Sequence, residues 1–312
     1  MLDLLQERLG IIAILAPVTA VSLSLLAWWI SVADRDGALT TGLTPEQHSF
    51  WTDMGYLAMS PVTEAVSCLS TTLGISACAV IMGDHVGKEL LSGFGPVIAQ
   101  PRWLILVEML VIGDLFYYWG HRLAHTVPLL WRFHAVHHAN KHLRATSALR
   151  AHPLETYVHV LHIVPLFLIG FPIDALIPLM PFVTLYAMFI HADVKISLRW
   201  VTWVINNPGF HRWHHALEIP NGTKNYAGMF PFYDVIFGSY HLPHEAPQAI
   251  GIEQDDVPTT CVAQLLYPFR APRVVALAGC PSTGSQPVAP PPPVRRHEQA
   301  VRHQSAVNGE RC

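Results

Sequence analysis

The sequence WLILVEMLVIGDLFYYWGHRLAH, residues 103–125, joins an apolar segment of membrane length directly to a pair of histidines. About 20 apolar residues at a rise of about 1.5 Å each span a hydrocarbon core of about 30 Å. Asp114, His121 and His125 share one stripe of such a helix. We therefore predict a membrane helix that leaves the bilayer and carries both imidazoles on its cytoplasmic end. Asp114 lies at membrane depth, where ionisable residues usually face a bundle interior or a functional site.

The composition of the chain is that of a membrane protein. Of its 312 residues, 51% are hydrophobic and 13% are charged, whereas a soluble domain has roughly 25% charged residues. The formal net charge of −3 argues against nucleic-acid binding, which needs a clustered basic face. The 5 cysteines are scattered and form no CxxC pair, so we expect neither a disulfide framework nor a thiolate zinc site.

Further apolar stretches are candidates for the membrane, at residues 11–32, 65–82, 154–171 and 173–190. The first ends in Trp28 and Trp29, which suit an interfacial belt, and we expect it to span the membrane in the mature protein. Pro165, Pro178 and Pro181 interrupt the last two stretches. Two structures are therefore compatible with them, kinked helices or a hairpin that turns back. We predict an all-α, multi-pass transmembrane helix bundle of about four to five membrane segments with a cytoplasmic histidine-rich helical cap.

Lysine and arginine indicate the orientation. Residues 121–150 contain basic side chains but no acidic one, whereas the expected loop at residues 34–64 has one arginine and five acids. The positive-inside rule therefore predicts that residues 121–150, and the histidines in them, lie on the cytoplasmic side.

Histidine is the unusual residue type, with 19 in the chain. Eight of them form three clusters with helical spacings of three and four residues, which place imidazoles on one helix face. Imidazole suits Fe, Zn, Cu and Ni. Because one zinc ion takes only three or four protein ligands, eight imidazoles are a natural supply for two ions. The clustered residues are His121 and His125; His134, His137 and His138; and His211, His214 and His215.

Four other residues are candidates for this site. His152 and His191 are candidates for further ligands, and a hydrogen bond to a ligand is the alternative for each. Asp114 and Glu155 are candidates to accept the N–H of a ligand imidazole and so fix its tautomer. A polar contact between helices, without a role at the metal, is the alternative for both carboxylates.

The clustered segments resemble the three histidine boxes of the fatty acid hydroxylase / sterol desaturase superfamily. They read YWGHRLAH (118–125), WRFHAVHH (131–138) and FHRWHH (210–215). Residues 151–155, AHPLE, resemble the family's His-Pro-x-Glu segment. The family's closing segment is similar to KNYAG (224–228) and DVIFGS (234–239). The resemblance covers about residues 100–240.

This resemblance implies an integral membrane, non-haem di-iron oxygenase with two Fe as cofactor and O2 as co-substrate. The eight box histidines would be iron ligands, with His191 as a further one. The implied substrate is a lipid, and the implied partner is a separate electron donor, such as a cytochrome b5-like or ferredoxin-like protein. The resemblance does not choose between hydroxylation and desaturation. Basic residues of the cytoplasmic segment are candidates to attract an acidic carrier or lipid head groups: Arg122, Arg132, Lys141, Arg144 and Arg150.

The predicted domains follow from these segments. N-terminal transmembrane segments occupy residues 1–100, and the histidine-box di-iron catalytic domain occupies residues 101–245. A C-terminal extension at residues 246–278 leads to a tail at residues 279–312, whose proline run predicts a disordered segment.

A function from another class is a non-redox zinc-binding membrane hydrolase or a metal-binding module. The spacings permit it, but the sequence has no Ser/His/Asp arrangement and no HExxH motif, which are the familiar arrangements of hydrolases.

Overall fold

A computed structural model describes residues 44–82, 92–194, 199–253 and 257–270. Within these ranges the regular elements are helices, and the only β pairing is one isolated bridge between Ala216 and Ile250. The predicted all-α class is confirmed for this part of the chain. The expected spanning segment at residues 11–32 and the tail at residues 279–312 lie outside the described residues.

Helix α1 (Pro45–Met82) is longer than we expected from the apolar stretch at residues 65–82. Residues 45–64 are helical, so the expectation of a loop there was wrong. The helix begins with a capping box, in which the Gln47 N–H donates to Thr44 Oγ1 and the Thr44 N–H donates to Gln47 Oε1. These two bonds satisfy backbone donors that a helix start leaves without a partner.

Helix α2 (Arg102–Thr126) contains the apolar stretch of residues 103–119 and carries His121 and His125 in its last turns, as predicted. In the described residues, α1 and α2 are the two helices long and apolar enough to cross a membrane. Helix α3 (Pro128–His138) starts two residues after α2 ends, with proline at its first position. Proline suits that position because its ring fixes φ and no N–H is needed there. This sharp connection turns the second histidine cluster back toward the first.

Helices α4 (Tyr157–Ile169) and α5 (Leu176–His191) follow a short 3-10 helix at Pro153–Thr156. With 13 and 16 residues, they reach about 20 and 24 Å at 1.5 Å per residue, less than a hydrocarbon core of about 30 Å. They are joined by a turn at Gly170, whose φ of 113° favours glycine and whose added Cβ would lie 2.6 Å from the Phe94 carbonyl oxygen. The apolar stretches at residues 154–171 and 173–190 therefore form two short helices and a turn.

The helices pack around α4. Ile105 and Met109 of α2 share a buried hydrophobic cluster with Leu166 of α4, and Ile75 of α1 shares another with Ile163 of the same helix. Helix α6 (Pro208–His214) holds the third cluster and is capped by Asn207, whose side chain accepts from the next two backbone N–H groups.

The last two α-helices of the described residues are short, α7 (Phe232–Ile236) and α8 (Cys261–Leu266). Residues near α8, within the predicted C-terminal extension, pack against α1 and α3, as Tyr267 shares a buried cluster with Tyr56 and Trp131. Thr52 on α1 also donates its hydroxyl proton to the Thr259 carbonyl oxygen. All described residues belong to a unit that ends at residue 270.

Candidate metal centre

Nine histidines converge into two groups that are each able to hold a metal ion. In each group the candidate ligand atoms all lie within 4.8 Å of one another. All of these side chains except His137 are at most 5% exposed. The five-histidine group consists of His121, His125, His134, His138 and His214, and the four-histidine group consists of His137, His191, His211 and His215.

The helical period divides the second and third boxes between the two groups, whereas both histidines of the first box enter the five-histidine group. His134 and His138 of α3 lie four residues apart, so they share a helix face and enter the five-histidine group. His137 points about 100° away from His138 and enters the four-histidine group. The third box divides in the same way, since His214 joins the five-histidine group while its neighbour His215 joins the other. His191, the last residue of α5, completes the four-histidine group.

The Nε2 atoms face one another at the separation that a shared ion requires. In the five-histidine group the Nε2 atom of His121 lies 3.1 Å from those of both His125 and His134. In the four-histidine group the Nε2 atom of His211 lies 2.9 Å from that of His191 and 3.1 Å from that of His215. Two imidazoles bound to one ion at about 2.0–2.1 Å and at right angles would place their nitrogens about 3 Å apart.

The opposite ring nitrogens show which tautomer is present. His121 Nδ1 lies 2.7 Å from the Tyr226 carbonyl oxygen, and His214 Nδ1 lies 2.7 Å from that of Lys224. A carbonyl oxygen only accepts, so each Nδ1 carries the proton and each Nε2 presents a lone pair. Lone pairs that converge at about 3 Å repel one another unless a cation accepts them. The buried Nε2 of His214 has no hydrogen-bond partner in the described structure, so the residues present fit a metal ion.

Burial favours the neutral form of five of these imidazoles. Removal from water, together with the neighbouring imidazoles, holds the pKa well below its usual value of 6.5. Neutral imidazole is the form that binds a metal. These five histidines are His137, His138, His211, His214 and His215.

The two candidate carboxylates act in different ways. Glu155 Oε1 accepts from His134 Nδ1 at 2.5 Å, which is one of the two contacts expected for this carboxylate from the sequence. Asp114 contacts no histidine of the two groups in the described structure; its carboxylate instead accepts the backbone N–H groups of Met229 and Phe230 at 2.9 and 2.7 Å. Asp114 therefore holds the chain segment that follows Tyr226, the acceptor for His121.

The structure does not bring His152 to the other histidines. Its Nε2 lies 3.0 Å from the Leu265 carbonyl oxygen, and its Nδ1 accepts the Leu154 N–H at 3.1 Å. Because both ring nitrogens are engaged, His152 has no lone pair for a metal. Its Nδ1 instead caps the short helix Pro153–Thr156.

Arg150 does not belong to a surface for an acidic carrier, in contrast to the expectation from the sequence. It is buried and forms an ion pair with Asp53 of α1, with Nε 2.8 Å and Nη2 2.5 Å from Oδ1. Its carbonyl oxygen lies 3.2 Å from His137 Nδ1. The pair therefore links α1 to the four-histidine group.

Sequence reasoning missed the backbone acceptors at Asn221, Lys224 and Tyr226, and the side chain of Asp234. Asp234 accepts the N–H groups of Tyr226 and Ala227 at 2.7 and 3.0 Å. The Asn221-Gly222 dipeptide was an available signal, because Asn-Gly favours turns with positive φ. Every residue carries a backbone carbonyl, so the sequence does not indicate which carbonyls accept from a histidine, and only the folded chain shows this.

A comparison with known families identifies this arrangement. The family model for fatty acid hydroxylase matches residues 106–239, a segment that includes the three boxes. Over this segment the chain is therefore similar to the fatty acid hydroxylase family. The resemblance of the boxes to the fatty acid hydroxylase / sterol desaturase superfamily is thereby confirmed.

Curated relatives of this chain have names that describe enzymes of lipid substrates. An ornithine lipid hydroxylase of Rhizobium tropici is 32% identical over 171 residues, 54% of this chain and 51% of the relative. Human alkylglycerol monooxygenase is 34% identical over 132 residues, 42% of this chain and 29% of the relative. A Delta(7)-sterol 5(6)-desaturase of Aspergillus fumigatus is 29% identical over 167 residues, 46% of this chain and 51% of the relative. The matches thus span about half or less of these relatives, and no solved structure matches significantly.

Proposed function

We propose that this protein is an integral membrane oxidoreductase that uses two non-haem iron ions and O2 to hydroxylate or desaturate a C–H bond of a lipid. The observation that carries the proposal is the convergence of nine histidines into one group of five and one group of four in a chain with long apolar helices. The curated relatives support the reaction class, since their names describe lipid hydroxylases, monooxygenases and a desaturase.

The proposed reaction favours iron over zinc, although imidazole suits both metals. An unactivated C–H bond requires a strong oxidant, and two iron ions together supply the electrons that reduce O2. Zinc has no accessible redox change and would not support this reaction. The proposed ligands are the eight box histidines and His191, while His152 is left out because both of its nitrogens are engaged.

The protein's own contribution is to bind, orient and shield. Several of the Nδ1 protons are held by fixed acceptors, such as Glu155 for His134 and the Tyr226 carbonyl for His121, so these rings cannot turn their protonated nitrogens inward. Burial of the imidazoles excludes water from the centre. Hydroxylation and desaturation begin with loss of the same hydrogen, so substrate position would decide between them.

We further propose a multi-pass arrangement with the histidine boxes on the cytoplasmic side. The lengths of α1 and α2 support it, as does the lack of acidic residues at 121–150. Phe182 and Leu185 of α5 are large and exposed, which suits contact with acyl chains. The electrons would come from a separate cytochrome b5-like or ferredoxin-like protein, and the lipid would enter sideways from the bilayer.

Iron content and oxygen use test the proposal together. We expect two irons per chain in protein purified anaerobically in detergent, and lipid-dependent O2 consumption. His137→Ala and His214→Ala alter different groups, so each should lose iron and product. His142→Ala is the matched control, because His142 lies beside the second box but outside both groups.

Two outcomes would contradict the proposal. One is retention of turnover by His137→Ala and His214→Ala. The other is a protein that holds zinc alone and consumes no O2 after iron loading, which would support the zinc-binding hydrolase or metal-binding module.

Lipid analysis of a deletion strain should show a mass difference of one oxygen or two hydrogens.

A further inference from the structure

One short segment of backbone orients three ligands of the five-histidine group. The carbonyl oxygens of Asn221, Lys224 and Tyr226 lie 2.5, 2.7 and 2.7 Å from the Nδ1 atoms of His125, His214 and His121. We call residues 221–226 the carbonyl loop. Three ligands from two different helices thus depend on the conformation of six consecutive residues.

The carbonyl loop adopts an unusual backbone conformation. Asn221, Gly222 and Asn225 have φ values of 52°, 59° and 60°, in the left-handed region. Gly222 packs directly on the centre, since an added Cβ would lie 2.9 Å from His138 Cε1 and 3.0 Å from His125 Cε1. A side chain at this position would push against two ligand rings.

Buried polar groups fix the loop from its outer side. The Asn225 side chain donates to the carbonyl oxygens of Phe210 and His241 at 3.2 and 2.7 Å. Asp234 accepts the N–H of Tyr226, and Asp114 accepts the two N–H groups just beyond the loop. Such supports stabilise a backbone conformation that would otherwise be strained.

The four-histidine group has weaker support in the described structure. The Nδ1 atoms of His211 and His215 are buried and have no hydrogen-bond partner there. His191 Nδ1 lies 2.7 Å from the carbonyl oxygen of Ala187 on its own helix, and His137 Nδ1 lies 3.2 Å from that of Arg150. None of these acceptors belongs to the carbonyl loop.

We infer that the carbonyl loop makes the two metal sites unequal, so that the five-histidine group binds its ion tightly and the four-histidine group exchanges its ion. The inference rests on the proposed two-metal function. Loss of a partner that orients a ligand typically costs about 10–100-fold in metal affinity. The five-histidine group has three loop carbonyls and Glu155 as such partners, so the two dissociation constants for Fe2+ should differ by at least about 10-fold.

An anaerobic titration of the metal-stripped full chain in detergent with Fe2+, against a coloured chelator, measures both constants. We expect two separate steps in the wild type. His214→Ala should remove the tight step and His211→Ala the weak step, which assigns each step to its group. Gly222→Ala should weaken the tight step at least about 10-fold and leave the weak step within about twofold.

Gly95→Ala is the matched control for backbone strain. Gly95 has a φ of 65°, close to that of Gly222, but an added Cβ would meet no atom within 4 Å. Both steps should be unchanged in this variant. Helical circular dichroism monitors folding, and if Gly222→Ala is unfolded, Asp234→Asn tests the loop instead, with the same selective weakening expected.

The outcomes separate this inference from the proposed function. Two equal steps in the wild type, or equal weakening of both steps in the folded loop variant, would overturn the inference while leaving a two-iron enzyme intact. A wild-type chain that binds no iron would instead overturn the proposed function.

Discussion

Glu155 Oε1 lies 2.5 Å from Nδ1 of His134, and on the other side of the same ring Nε2 lies 3.1 and 3.2 Å from the Nε2 atoms of His121 and His138. The carboxylate thus holds the imidazole that contacts histidines of both α2 and α3. A carboxylate on the outer nitrogen fixes the ring and makes the inner nitrogen a stronger donor to a metal.

The variant Glu155→Gln keeps the shape of this side chain but removes its charge. We expect Fe2+ affinity of the five-histidine group to fall by about 10–100-fold, as measured by chelator competition. Glu46→Gln is the matched control, because the Glu46 carboxylate lies 3.6 Å from Nδ1 of His142, a histidine outside both groups. Equal affinities in Glu155→Gln and the wild type would show that Glu155 does not support a ligand.

The variant His152→Ala tests the position of His152 outside the centre. We expect both irons to be retained, because His152 Nε2 and Nδ1 bond to the backbone of Leu265 and Leu154. Loss of these two hydrogen bonds should lower the free energy of unfolding by about 1–3 kcal/mol. Metal analysis and thermal denaturation measure the two effects, and release of iron would mean that His152 is a ligand after all.

The variant Asp53→Asn tests the connection between α1 and the second box. Removing one partner of a buried ion pair typically costs about 3–5 kcal/mol, so we expect a large fall in the thermal midpoint. The Arg102–Asp174 pair is about half exposed on each side, and Asp174→Asn should cost less than about 1 kcal/mol. Similar midpoints for the two variants would contradict the assigned role.

The stability of the metal-free protein should depend on pH. Because burial lowers the pKa of histidines such as His214 and His215 in the folded chain, the unfolded chain binds more protons below the ordinary value of about 6.5. Stability therefore rises with pH in this range, is fully present above about pH 6.5, and falls as the solution is made more acidic. Chemical denaturation of metal-free protein between pH 5 and pH 8 measures this, and a pH-independent midpoint would contradict it.

Local spacing predicted much of the site. The four-residue separation of His121 and His125 is a property of any α-helix, so their common face on α2 follows from sequence. The same reasoning predicted that the boxes supply two ions. The expectation of a loop at residues 45–64 was wrong. These residues begin with a capping box and belong to helix α1, in which Asp53 is buried.

Other features of the site depend on contacts between distant parts of the chain. The sequence does not reveal that Asp114 holds the backbone at Met229, 115 residues away, instead of an imidazole. His152 lies in a recognisable motif, yet the Leu265 carbonyl from the C-terminal extension engages its ring. Such partners are backbone atoms, which every residue type carries alike.

The sequence by itself determined the helical class, the apolar helix that ends in the first histidine pair, and the residue types able to hold two metal ions. Only the tertiary structure decided which box histidines share a group, which nitrogen of each ring faces inward, and which carbonyls hold the other nitrogen. The physical reason is that helical periodicity acts over a few residues, whereas ring orientation depends on hydrogen bonds that form only when distant segments pack together.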